Sequence, residues 1–153
     1  MATERTGLPP PHPLNEPGDF YVGDGCCTQC GAPFAEAPGL FAWSNTGPDS
    51  TCFVKRQPST PAEQEQMVSA IRVAETACIR YRGTDPVVQE RLAAQGLGAQ
   101  CDAVLSPELQ RRSDAAREAA HRQWRHWQQR RREWRALPWW RRLWRTLRGQ
   151  SVA

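Results

Sequence analysis

The stretch Val22-Gly23-Asp24-Gly25-Cys26-Cys27-Thr28-Gln29-Cys30-Gly31 decides how the chain folds. Three of the six cysteines fall within five residues, flanked by glycines that let the backbone bend sharply. Cys27-Thr28-Gln29-Cys30 is a C-x2-C pair, a spacing that serves zinc, iron–sulfur clusters and redox dithiols. A chelating loop needs further thiolates from elsewhere in the fold. Cys52 and Cys78, 22 and 48 residues beyond Cys30, supply them, with Cys26 as an alternative ligand. Cys101 lies beyond the last predicted helix of the module and is expected to be a packed or free thiol rather than a ligand.

Working outward, Asp19–Val22 is predicted to be a strand entering the loop, and Phe34–Phe41 a single helical turn with Pro38 near its end. Trp43–Ser50 is predicted to be a turn and Thr51–Lys55 a strand. Thr60 is an N-cap ahead of Pro61 at the first helical position, with Glu63 as the acid of a capping box. Met67, Ala70, Ile71 and Ala74 form one buried stripe on that helix. Cys78–Tyr81 is predicted to be a strand, and Asp85 to cap a helix over Pro86–Gln95, with Val88 and Leu92 on its inner face. The fold class is therefore α+β: a disordered Pro-rich leader (1–18), a cysteine module (19–83), an appended helix and loop (84–105), and a helical tail (106–153).

With 153 residues, 13 Pro, 11 Gly and only 39% apolar residues, the chain has room for a small core. Domains of that size are commonly held by disulfides or metals. Met1–Pro17 has acids and prolines but no apolar signal region, and no stretch reaches the length of a membrane span. A cytoplasmic location follows as the expectation, peripheral to the inner membrane where the tail docks. Reduced thiols there favour metal ligands over disulfides.

The stretch Val22–Gly83 resembles single-cluster bacterial ferredoxins. Cys27 and Cys30 fall on the first two ligand positions of that family, and Ala37-Pro38-Gly39-Leu40-Phe41 on its A-P-x-x-F helix. Gln57-Pro58 falls on its Gln-Pro and Cys78 on its last ligand. Pro33 stands at the third cysteine position and Ile79 follows Cys78 in place of proline, so the remaining ligand falls to Cys52, or to Cys26. The resemblance implies a ferredoxin-like module holding an iron–sulfur cluster, of the 4Fe–4S type, and a redox partner protein. The alternative is a non-catalytic interaction module in which the cysteines hold structural zinc or nothing. His12, His121 and His126 lie outside the module, so no Cys–His pair points to catalysis and the chain is not expected to be an enzyme.

Charge divides the chain. Residues 1–100 carry 7 bases against 11 acids, and residues 101–153 carry 13 bases against 5 acids. Between His121 and Arg148 there are ten arginines, six tryptophans and one acid, Glu133. Past Pro138, which breaks the helix, Trp140, Leu143, Trp144 and Leu147 form an i, i+3, i+4, i+7 stripe opposite Arg141, Arg142, Arg145 and Arg148. Such a helix suits an anionic membrane surface or an acidic partner. Packing within the protein or an oligomer, and nucleic-acid binding, are the competing uses.

Overall fold

In the computed structural model, which describes residues 7–45 and 47–149, the chain forms five α-helices and two small antiparallel sheets, a mixed α+β arrangement. It divides into two units, residues 1–116 and 117–153. In the first unit β1 (Phe20–Val22) leads through the cysteine loop to α1 (Ala32–Glu36). Then follow β2 (Phe41–Trp43), β3 (Cys52–Val54), α2 (Pro61–Val73), β4 (Ile79–Tyr81) and α3 (Pro86–Ala94).

Local chemistry explains the two amphipathic helices. Thr60 caps α2 by accepting from the Glu63 amide, and Pro61 opens the first turn. The Glu63 carboxylate reaches the Ser59 amide and hydroxyl and the Arg56 guanidinium, rather than the Thr60 amide of a reciprocal capping box. Asp85 caps α3 by accepting from the Val87 amide. Met67, Ala70 and Ile71 of α2 and Val88 and Leu92 of α3 are buried; Ala74 and Gln95 are half-buried.

The strands are three residues long, so few of their backbone groups can be met by pairing alone. β1 pairs with β4, Phe20 opposite Tyr81 and Val22 opposite Ile79. Its other edge meets side chains. Gln57 accepts from the Phe20 amide and donates to the Phe20 carbonyl. Asn15 donates to the Val22 carbonyl, and its Oδ1 accepts from both the Val22 and the Val54 amides. Asn15 thereby ties β1 to β3, whose own partner is β2, Phe41 opposite Val54 and Trp43 opposite Cys52. Phe20, Val22, Leu40, Val54, Met67 and Ile79 fill the core between these elements.

Two segments differ from the sequence expectation. The leader, expected to be disordered through residue 18, is hydrogen-bonded to the module from Pro10 onward: Asp24 donates to the Pro10 carbonyl, His12 to Val22, and Glu16 to Val54. The predicted turn of helix over Phe34–Phe41 ends early, because Ala37, ahead of Pro38, leaves the helical region at φ −128° and ψ 68°, and Gly39 turns the chain at φ 81°. Phe41 then begins a strand, β2, which the sequence reading did not contain.

In the second unit α4 (Pro107–Ala136), which begins in the first, runs to the break at Leu137-Pro138, and α5 (Trp139–Leu147) follows. Both lie where the sequence places the helical tail.

Asn15→Ala is expected to destabilise the protein by about 1–3 kcal/mol, since it leaves the Val22 and Val54 amides without their acceptor, while the Val22 carbonyl keeps the His12 amide. Asn15→Asp, which keeps the acceptor, should cost less. Urea unfolding of the three proteins measures both.

Candidate functional site

Five of the six cysteines come to the loop between β1 and α1 or to the strand ends beside it. Cys26, Cys27 and Cys30 lie on the loop, Cys52 is the first residue of β3, and Cys78 immediately precedes β4. The loop is shaped from inside and out. Gly25 and Gly31 both take φ 70°, and Gln29 holds φ 59°, a left-handed conformation rare for a residue with a side chain. The Gln29 side chain secures that turn by donating to the carbonyls of Pro48 and Ser50, the latter at 2.8 Å. The Thr76 hydroxyl donates to the Cys26 carbonyl at 3.2 Å, and the Gly23 amide to the Cys78 carbonyl at 2.9 Å.

Within this frame the sulfurs pair. Cys26 and Cys78 are joined by a disulfide, which the sequence reading did not anticipate: it placed Cys78 among the metal ligands and Cys26 as an alternative to them. The Cys27 and Cys52 sulfurs are 3.1 Å apart, and the Cys52 amide donates to the Cys27 sulfur at 3.2 Å. Cys30 is exposed and Cys27 half-buried, while Cys52 and Cys78 are buried. Burial pushes the Cys52 thiol up to about 12, helped by the hydrogen bond with Cys27 and by the charges of Cys27 and Cys30. Cys101 is fully buried, and its backbone bridges to Tyr81.

Among the described residues no group of three or more His, Cys, Asp or Glu side chains is arranged as a ready site for a metal ion. A single ion requires donors aimed at one point, whereas these sulfurs stand as two pairs and an exposed neighbour. Sulfurs from three separate segments meet at this loop, and one backbone N–H, that of Cys52, is directed at the Cys27 sulfur.

His12, which the sequence places outside the module, packs against it. Its Nε2 is 2.8 Å from the Thr51 hydroxyl and its ring stacks on Phe53, on either side of Cys52 in the chain. A buried polar network also braces β4: Arg80 pairs with Asp102 at 2.7 Å, and the Tyr21 hydroxyl donates to the same carboxylate at 2.6 Å.

On α5, Trp140 and Trp144 are exposed, and the Arg141 guanidinium lies 5.0 Å from the centre of the Trp140 ring. The Arg145 side chain lies outside the described residues. No helix among the described residues is long and apolar enough to cross a membrane. No protein-family model, curated protein or solved structure matches this chain.

Burial raises three acids together: Cys52 from 9.0 to about 12, and Tyr21 and Tyr81 from 10.0 to about 12. Above pH 9.0 the unfolded chain releases protons that the fold retains, so it binds fewer protons and stability falls as pH rises toward 12. In the metal-free protein the urea midpoint should therefore decline through this window. Tyr21→Phe should make the decline shallower, which unfolding curves at stepped alkaline pH will show.

Proposed function

We propose that this chain is an iron–sulfur protein of the single-cluster ferredoxin-like kind, a one-electron carrier or redox sensor acting with a redox partner protein. The observation that carries the reading is the gathering of cysteines from three segments at one loop, with Cys52 against Cys27. That contact supports Cys52 as the replacement for the thiolate that Pro33 displaces. The first and last strands of the module pair antiparallel and enclose the cysteine loop, an order compatible with the resemblance drawn from the sequence.

Cys27, Cys30, Cys52 and Cys78 would hold the cluster, which when bound supplies a centre that takes up and releases one electron at a time. Cys78 becomes a ligand only after its bond to Cys26 is opened: a dithiol reductant gives two electrons and two protons, the S–S bond breaks, and two thiols form. The Cys52 amide, directed at the Cys27 sulfur, is placed to stabilise negative charge there. Cys30, the exposed member, is the point of closest approach for a partner.

The disulfide favours a second reading. If Cys26–Cys78 is the permanent state, the module is a cross-linked scaffold without a cluster, holding zinc or no metal, and the basic tail is its working part.

Protein purified without oxygen and under a dithiol reductant is expected to be brown, with iron and acid-labile sulfide in near-equal amounts. Cys27→Ser, Cys30→Ser, Cys52→Ser and Cys78→Ser should each lose the cluster, while Cys26→Ser, which frees Cys78, should keep it. If Cys26→Ser and Cys78→Ser behave alike in a colourless protein, the disulfide scaffold is correct. If Cys26→Ser strips the cluster and Cys52→Ser does not, Cys26 is the fourth ligand.

A further inference from the structure

The second unit contains a surface that the cysteine reading does not use. At about 100° per residue, Trp139, Trp140, Leu143, Trp144 and Leu147 of α5 occupy an arc of roughly 140°, and Arg141, Arg142, Arg145 and Arg148 occupy the opposite one. These five apolar side chains are between 47% (Trp140) and 72% (Leu147) exposed. No acidic residue occurs from Trp134 to Gly149. The guanidinium of Arg141 lies over the Trp140 ring, at the border between the two arcs, where a cation can rest on an aromatic face while remaining wet.

We infer that α5 docks flat in the interface of a bilayer containing anionic lipid, its Trp and Leu side chains among the upper acyl chains and its arginines toward the headgroups. Charge complementarity selects this occupant: four arginines without a compensating acid meet a negative surface, and tryptophan favours the headgroup boundary. Two alternatives fit the geometry less well. Single-stranded nucleic acid takes cations and stacking aromatics on one shared face, whereas α5 puts them on opposite faces. A second copy would bring two uniformly basic helices together, and a nine-residue helix offers much less than the roughly 800 Å² per partner of a stable interface. The helix is far too short and too charged to span the bilayer, so it lies in the surface.

The inference is independent of the cysteines, and its test reads the tail alone. The full chain is mixed with phosphatidylcholine vesicles containing phosphatidylglycerol, with vesicles of phosphatidylcholine only, and with duplex and single-stranded DNA; co-sedimentation and tryptophan emission are followed. Binding to the anionic vesicles with a blue shift is expected, weakening several-fold between 0.1 and 0.5 M salt as the Debye length falls from about 10 to about 4 Å. Trp140→Ala combined with Trp144→Ala should weaken it about tenfold or more, because the apolar arc supplies the part that salt does not screen. The exchange Trp140→Arg with Arg141→Trp keeps composition and charge but sets an arginine inside the apolar arc and a tryptophan inside the basic one, and should weaken binding comparably; binding unchanged by that exchange would overturn the proposal. So would equal binding to neutral vesicles, a preference for either DNA, or self-association with no binding to vesicles.

Discussion

The bond between Cys26 and Cys78 spans 52 residues of sequence, and it is the firmest link in a module whose four strands are each three residues long. Pairs of strands this short are marginal without added support. On the chain-entropy account, closing a loop of this length contributes about 4 kcal/mol by restricting the unfolded chain. That is a large part of the roughly 5–15 kcal/mol that holds a typical domain. The disulfide fastens the cysteine loop to the start of β4, beside the β1–β4 pair. A cluster ligated by Cys27, Cys30 and Cys78 would fasten the same two segments. On the proposed function, such a cluster would replace the disulfide as the cross-link of one small core.

The environment of each sulfur has consequences for that replacement. Cys52 is buried and its thiol is held protonated up to about 12. A metal bound at Cys52 would therefore have to displace a proton that the fold retains, which would couple binding to pH. Cys30, exposed on the loop, faces no such barrier from burial.

What was legible in the sequence was what depends on neighbours along the chain. Thr60 before Pro61 and Asp85 before Pro86 announce their helices because a cap acts within three residues, and the break at Pro138 follows from a missing amide. The strand expected at Cys52 forms, and it sets that sulfur against Cys27. What was illegible depends on distant partners. Nothing local marks Asn15 as the brace between Val22 and Val54, 7 and 39 residues away, or indicates that His12 returns to Thr51. The leader looked disordered because it is rich in proline; it is held by backbone hydrogen bonds, the Asn15 side chain and one buried imidazole. The Cys26–Cys78 pairing was illegible for the same reason, since either neighbour on the loop satisfies the spacing equally.

The second unit follows a different logic. Its helices are encoded locally, by arginine, glutamine and alanine of good helix propensity and by contacts one turn apart: Arg122 with Glu118, Gln129 with Glu133, and Arg131 over Trp127. A helix that forms from such contacts does not need its apolar face to nucleate it. In the first unit the stripes of α2 and α3 are consumed by the core, and their side chains are buried. On α5 the stripe is at least as well ordered in sequence, yet its tryptophans and leucines are exposed. Sequence periodicity is therefore the same signal in both units, and only burial separates a face that folds the protein from one free to meet a surface.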